Sequence, residues 1–241
     1  MIEIRRAFAI ILVFMILFFW FGLAAANELG SPAVSNTTNS NSNSNTKILF
    51  DVFIGKKRIG EHLFLLGKSS DGVKVKSRAS FDYRLFNISL YKYKHSSEEN
   101  YDSKNCLTKI NSSTLTETKV RGSLREKVTG ERRHNGFWIT GSNEEKLDKN
   151  CLMPFAYWNP KILEQTSLLN AQTGKEVQIA VRKLPETTSG SIYLLEGEKL
   201  SIEVSYSPKG SWISLESKIG KGRNLKYVLA SEENLLGPLS L

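Results

Sequence analysis

The stretch VKVKSRASFDY, residues 73–83, carries the pattern that decides the fold. Apolar and charged side chains alternate along it. The apolar set is Val73, Val75, Ala79, Phe81 and Tyr83, and the charged set is Lys74, Lys76, Arg78 and Asp82. Successive side chains of an extended chain point to opposite faces, so this period of two is typical of an antiparallel strand with one buried face. Residues 73–83 are therefore predicted to form a half-buried strand.

Similar segments continue in both directions. ILFDVFIG (residues 48–55) and RIGEHLFLLG (residues 58–67) flank Lys56 and Lys57 and predict a hairpin. Further strands are predicted at residues 85–94, 106–110, 115–120, 123–129, 137–140, 177–182, 200–206, 211–220 and 225–230. About a dozen short strands indicate an all-β domain, because such large sheets curl to protect their edges. We predict a single antiparallel β-barrel or strongly curved sheet, with two packed sheets as the alternative.

One segment breaks this rhythm. PFAYWNPKILEQTSLL, residues 154–169, contains two prolines, an aromatic pair and a short helical signal. Asn159 is a favourable helix cap and Pro160 a favourable first helical residue. We predict a helical turn or short helix from Pro160 to about Thr166, lying between the two sets of strands as a plug or bridge.

The N-terminal residues 1–26, MIEIRRAFAIILVFMILFFWFGLAAA, predict export. Arg5 and Arg6 precede an apolar run over residues 7–23, and residues 24–26 supply the small side chains of a cleavage site. The run is also at the lower limit for a membrane-spanning helix, so retention as an N-terminal apolar anchor helix is the alternative. Residues 27–46 are rich in Asn and Ser and predict a disordered linker. Residues 47–241 then form the exported β-rich domain, periplasmic or extracellular and tethered to the inner membrane if the leader is uncleaved.

The chain has two cysteines, Cys106 and Cys151, both in the exported part. An even number in an oxidising compartment predicts one disulfide. Two buried free thiols are the alternative. A cysteine nucleophile would need a base beside it, and no pattern places His95 or His134 near either sulfur.

The formal net charge of +9 predicts attraction to anionic surfaces. Much of it can be a solvated surface, since basic residues are spread along the chain. One basic stretch comprises Arg121, Arg125, Lys127, Arg132 and Arg133. It could bind an anionic polymer or protect a strand edge, and we favour the second interpretation. Export argues against nucleic acid as a partner.

The sequence offers no catalytic, metal-binding or cofactor-binding motif. Its three histidines, His62, His95 and His134, lack metal-ligand spacing. Two adjacent carboxylate pairs, residues 98–99 and 144–145, would point to opposite faces of a strand, so neither pair could share a site. We interpret both pairs as solvated turn charges.

The segment CLMPFAYWNP, residues 151–160, has the best claim to function. Tyr157 and Trp158, with the adjacent Asn159, could line the mouth of a ligand cavity of the kind that β-barrels enclose. The alternative is that the two aromatic side chains only fill the open end of the core. A disulfide at Cys151 would fix the segment in either case.

Several motifs together resemble a known family. They are FDVFIGKKRIGEHLFLL, a cysteine after a Tyr-rich strand, CLMPFAYWNP, LLNAQTGKEVQI and the run over residues 225–230. The chain resembles the exported bacterial proteins of the domain of unknown function 6134 family over residues 48–230. The resemblance implies a β-rich exported domain and implies no activity.

Three functions are compatible with these observations. The first is a non-catalytic exported domain that binds an apolar or amphiphilic ligand, such as a lipid, inside the curved sheet. The second is a structural or assembly protein that docks on an anionic envelope polymer or envelope protein through its basic surface. The third is a hydrolase with an unrecognised site. Direct membrane contact is expected only through residues 7–23, if the leader is uncleaved.

Overall fold

The computed structural model describes residues 44–141, 144–149, 151–219 and 223–235. The predicted leader at residues 1–26 and most of the predicted linker at residues 27–46 lie outside these ranges. Within them, no helix has both the length and the apolar character needed to cross a membrane. The first strand already begins at Ser44, so the last three residues of the predicted linker are paired rather than disordered. Pairing is possible there because a neighbouring strand extends beside them on each side.

The described residues form fifteen strands and one short helix. The strands are β1 (Ser44–Ile54), β2 (Lys57–Ser69), β3 (Gly72–Leu85), β4 (Ile88–Asp102), β5 (Leu107–Thr118), β6 (Gly122–Arg133), β7 (Gly136–Thr140), β8 (Glu144–Leu147), β9 (Ser167–Leu169), β10 (Glu176–Gln178), β11 (Ala180–Lys183), β12 (Ser191–Gly197), β13 (Leu200–Tyr206), β14 (Trp212–Lys218) and β15 (Asn224–Leu235). The helix is a single 3₁₀ element, Pro160–Glu164, close to the predicted position.

Thirteen strands join in one large curved antiparallel sheet with the order β11-β12-β13-β14-β15-β1-β2-β3-β4-β5-β6-β7-β8. Each strand pairs with its neighbours in sequence except at one place, where β15 pairs with β1. That pairing joins the C-terminal strands to the N-terminal ones. The predicted fold class, an all-β domain built on a barrel-like or strongly curved antiparallel sheet, is confirmed.

The predicted alternation is correct for the central strands. β1 and β2 form the predicted hairpin, and in β3 the side chains of Val75, Ala79 and Phe81 are buried while Lys74 and Arg78 are exposed. Because side chains alternate, one face of the sheet holds the core and the other faces solvent.

The strands differ from the sequence prediction in several places, and β8, β9 and β12 were not predicted at all. The predicted strand at residues 85–94 is interrupted by a turn at Phe86 and Asn87, both with positive φ. The predicted strands at residues 106–110 and 115–120 are one continuous strand, β5. The predicted strand at residues 177–182 is divided between β10, which pairs with β9, and β11, which pairs with β12. The hydrogen bond from the amide of Ile179 to the carbonyl of Thr166 continues the first of these pairings.

Residues 151–179 pack against the inner face of the sheet, and we call them the plug. Its buried apolar side chains belong to the same cluster as those of the sheet: Leu152, Met153, Ala156, Ile162, Leu168 and Leu169. Backbone and side-chain hydrogen bonds fix it to both halves of the sheet. The amide of Leu107 donates to the carbonyl of Leu152 over 2.9 Å, and the Tyr206 hydroxyl donates to the carbonyl of Tyr157 over 2.9 Å. The segment therefore acts as the plug that its broken pattern predicted.

The basic stretch follows β6 and the turn before it. Only residues 129–133 of β6 pair with β7, so Arg125 and Lys127 lie where β6 pairs with β5 alone among the described strands. Both side chains are exposed. Arg132 instead forms an ion pair with Asp102 over 2.6 Å. The placement of Arg125 and Lys127 fits the edge-protecting interpretation.

Cys106 and Cys151 form a disulfide that ties the start of the plug to the residue before β5. Their Cα atoms lie 4.8 Å apart and 45 residues separate them in sequence. The bond restricts the unfolded chain and also fixes the entry of the plug.

Replacing both cysteines tests how much the plug depends on this bond. We expect the Cys106→Ser/Cys151→Ser variant to lose about 4 kcal/mol of unfolding free energy in urea denaturation, because the closed loop is long. Wild-type protein with a reductant is the control and should behave like the variant. A loss below about 1 kcal/mol in both samples would mean that apolar contacts alone hold the plug.

Candidate ligand-binding cavity

A cavity of about 290 Å³ lies between the inner face of the sheet and the plug. One wall comes from strands β2, β3 and β4, and the opposite wall from β13, β14 and β15. The plug closes it on a third side with Phe155, Tyr157 and Trp158.

Small side chains at the centre of β3 create this space. Ser77 and Ala79 are buried on the inner face, between larger residues. Ser77 pairs with Phe64 on β2 and with Ser97 on β4, while Ala79 lies between His62 and His95. Bulky side chains at these two positions would fill the centre of the sheet, whereas Ser and Ala leave it open.

Aromatic rings cover much of the cavity wall. The rings of Phe81 and Tyr93 stack with centroids 5.3 Å apart, and His95 continues the same row on β4. On the other side, Trp212 packs against Tyr157 with centroids 5.3 Å apart. Such walls favour apolar groups and flat or extended hydrocarbon segments.

Two histidines bring nitrogen atoms to this apolar space. The ring of His62 stacks on Phe64 with centroids 4.1 Å apart, and neither of its ring nitrogens has a hydrogen-bond partner in the part of the chain described. The Nδ1 atom of His95 lies 2.8 Å from the Thr114 hydroxyl oxygen. Burial lowers the pKa of His95 to about 4, and burial together with the nearby His95 lowers the pKa of His62 well below its usual range. Both rings are therefore neutral at pH 7.

One carboxyl group also faces the cavity. Burial raises the pKa of Glu99, although its carboxylate accepts hydrogen bonds from the hydroxyls of Ser97, over 2.7 Å, and of Tyr101. Glu98, one residue earlier, points to the other face and forms an ion pair with Lys76 over 3.7 Å.

The interpretation of residues 98–99 as solvated turn charges was wrong. Both lie within β4, and only Glu98 faces solvent. The prediction that the two carboxylates point to opposite faces was correct. The missed signal was the alternation along β4, which places the side chains of Tyr91, Tyr93, His95, Ser97, Glu99 and Tyr101 on one face.

The residues singled out in the sequence have different positions. Tyr157 and Trp158 line the cavity, and their role in binding a ligand stays a prediction. Asn159 does not belong to the lining, since it is buried and its Oδ1 accepts a hydrogen bond from the amide of Lys161 over 3.1 Å at the start of the helix. His134 is exposed in the turn between β6 and β7. Cys106 and Cys151 are joined, so neither is a free thiol.

The lining combines aromatic rings with a few polar groups. In the described ranges, no group of three or more His, Cys, Asp or Glu side chains could hold a metal ion. The hydroxyl paired with a histidine belongs to Thr114, which is buried and does not line the cavity. A nucleophile must contact its substrate, so this pair is not arranged for covalent catalysis.

Comparison with known proteins agrees with this architecture. Residues 50–230 match the family model described as Domain of unknown function (DUF6134). The crystal structure of a β-barrel-like protein of domain of unknown function DUF1849 from Brucella abortus is similar, with a TM-score of 0.54 and 9% sequence identity. The match covers 80% of this chain and 98% of that chain, and at this identity it shows the fold alone. No curated protein matches the chain.

Fold and site together define a β-barrel-like protein whose curved sheet is plugged by its own chain around an aromatic cavity. The match over most of its length places it more narrowly: the chain belongs to the DUF6134 family. The resemblance to this family is thereby confirmed, whereas export stays a prediction.

The two buried histidines predict that stability falls as the pH is lowered. In the unfolded chain the side chain of His95 takes up a proton near pH 6.5, whereas in the folded protein it does so only near pH 4. The free energy of unfolding is therefore unaffected by protonation of His95 above pH 6.5. It decreases as the pH falls from 6.5 towards 4, by at most about 3 kcal/mol. The raised pKa of Glu99 acts in the opposite direction and reduces the net loss.

Urea denaturation between pH 7 and pH 4 measures this effect. The difference between wild type and His95→Gln isolates the histidine, because glutamine takes up no proton in this range. His134→Gln is the control, since that side chain is exposed. Identical pH dependence in wild type and His95→Gln would contradict the buried neutral state.

Proposed function

We propose that this protein is a non-catalytic, exported binding protein that holds an apolar or amphiphilic ligand in the cavity between sheet and plug. The observation that carries the proposal is the combination of aromatic walls with buried histidine nitrogens that lack a partner among the described residues. Binding sites for small amphiphiles combine these features, a mostly apolar lining and a few polar groups that fix orientation.

The lining defines the chemistry of the ligand. Its size, about 290 Å³, suits a single hydrocarbon chain or a small ring system rather than a diacyl lipid body. The neutral state of His62 and His95 favours a ligand hydroxyl or carbonyl over a cationic group, because a neutral imidazole both donates and accepts hydrogen bonds. Glu99 adds a further polar group on β4, beside the apolar rings.

The proposed compartment rests on the predicted leader and on the disulfide. The disulfide between Cys106 and Cys151 supports an oxidising environment, as expected of an exported protein. We propose that the protein acts in the periplasm or outside the cell, either released after Ala26 or held at the membrane by its leader.

The hydrolase alternative gains only partial support. His95 and Glu99 do lie in the cavity rather than on the surface, whereas His134 is exposed. Each of the two buried groups already has hydrogen-bond partners within the sheet, Thr114 for His95 and Ser97 with Tyr101 for Glu99. Because both groups are already hydrogen-bonded within the sheet, we favour a binding role for this wall over a catalytic one.

Ligand binding can be tested by filling the cavity. We expect the Ser77→Leu variant to bind the neutral amphiphilic dye N-phenyl-1-naphthylamine at least about tenfold more weakly than wild type, because leucine occupies the open centre of β3. Fluorescence titration of the dye gives the affinity. Solvent extraction and mass spectrometry of purified wild type should also find a co-purified amphiphile, and should find less of it in the variant.

The matched control is Ser80→Leu, which places the same side chain on the same strand but on the exposed face. It should leave dye affinity unchanged. Thermal unfolding of both variants shows that they fold. Equal dye affinity in Ser77→Leu and wild type, with no extractable ligand, would exclude the cavity as a binding site.

A further inference from the structure

Several hairpin turns lie at one end of the sheet. β1 ends at Ile54 and β2 begins at Lys57, and the turns between β3 and β4 and between β5 and β6 follow at the same end because neighbouring strands are antiparallel. We call residues 55–57, 85–88 and 119–124 the turn end. The cavity extends towards it, since Ile59, Phe81 and Tyr91, near the ends of these strands, belong to its lining.

Large apolar side chains project from the turn end. Phe86 is 88% exposed and Val120 is 78% exposed, so each is almost fully surrounded by solvent. Leu85, Ile88 and Leu124 are also exposed at the same turns. Five exposed apolar residues are therefore concentrated at one end of the sheet. Exposed apolar patches on soluble proteins commonly mark interaction sites.

The backbone at Phe86 is strained as well. Phe86 and Asn87 form the two-residue loop between β3 and β4, with φ values of 48° and 63°. Loops of this type strongly favour Asn or Gly at both positions, and a phenylalanine with positive φ is unfavourable. An exposed aromatic side chain in an unfavourable backbone conformation does not stabilise the folded state, which suggests that Phe86 has a role in an interaction.

Positive charge surrounds these apolar tips. Lys56, Lys119 and Arg121 are exposed, and none of them forms an ion pair with any residue that the structure describes. The nearby carboxylates are neutralised locally. Asp82 pairs with Arg84 over 2.6 Å, and Glu117 lies 3.9 Å from Lys92.

We infer that the turn end docks on the surface of an anionic lipid bilayer, with Phe86 and Val120 inserted among the headgroups and Lys56, Lys119 and Arg121 against the lipid phosphates. Interfacial binding needs this pairing of apolar tips and basic side chains, and aromatic residues prefer that depth. Docking here would bring the cavity to the bilayer that supplies its ligand. Only this last consequence rests on the proposed function; the docking itself does not.

Co-sedimentation with lipid vesicles tests the inference on residues 27–241, which contain every described strand and both cysteines and lack the apolar leader. The vesicles contain either phosphatidylcholine alone or equal amounts of phosphatidylglycerol and phosphatidylcholine. We expect binding to the anionic vesicles that weakens with added salt, and little binding to the neutral ones. Equal binding to both kinds of vesicle, or to neither, would overturn the proposal.

Substitutions at the turn end then locate the surface. Lys56→Gln/Lys119→Gln/Arg121→Gln should lower the partition coefficient by about fivefold for each charge removed. The matched control is Lys104→Gln/Lys209→Gln, which removes two exposed charges from the opposite end and should have little effect. An equal loss per charge in both variants would mean that general charge attraction, and not the turn end, drives binding.

Phe86→Asn separates docking from folding. Asparagine suits the positive φ of this position, so the variant should unfold at a higher temperature than wild type while binding anionic vesicles several-fold more weakly. Val228→Ser is the control for an exposed apolar side chain elsewhere on the sheet. Unchanged vesicle binding in Phe86→Asn would contradict insertion. If N-phenyl-1-naphthylamine still binds when vesicles do not, the docking surface fails and the cavity function stands.

Discussion

The antiparallel pairing of β1 with β15 determines the rest of the architecture. Ten or more residues of each strand form this ladder, from Asn45 opposite Leu235 to Ile54 opposite Leu225. Without it, the strands before the plug and those after it would be two separate sheets, each with an uncovered edge. With it they become one surface long enough to curl. A curled sheet has a concave face that must be covered, and the chain covers it with the plug, whose entry is fixed by the disulfide at Cys151.

The plug does not fill the space completely, and the reason lies in the side chains of β3. Close packing of a core leaves little room for voids, so a cavity of this size needs small residues at its centre. Ser77 lines the cavity and Ala79 is buried next to it on the same strand, while the rings of Phe81, Tyr93 and Trp212 form part of the walls. The cavity therefore depends on the side chains of the sheet as well as on the plug.

The sequence predicts the parts of this fold that depend on local periodicity. The alternation of residues 73–83 and the broken pattern of residues 154–169 correctly indicated a curved antiparallel sheet and a plug. Pairing partners are not encoded locally, which is why residues 177–182 looked like one strand although β10 and β11 belong to different ladders. For the site, the aromatic pair Tyr157 and Trp158 was recognisable, because amphipathic rings in an irregular segment stand out. Glu99 and His95 were not, since a polar residue on an inner face looks like a surface residue until the position of the whole strand is known.

Two regions of the molecule contain features that are unfavourable for folding, and the same two strands connect them. In the cavity, His62 keeps both ring nitrogens without a partner among the described residues, which costs more than an apolar side chain of the same shape would. At the turn end, Phe86 holds a positive φ and exposes its ring. Neither feature stabilises the fold, and both would be absent from a sequence optimised for stability alone. Strands β3 and β4 join them, because their inner faces line the cavity and their connecting loop carries Phe86. The proposed route from a membrane surface to the aromatic cavity would give both features a common physical reason.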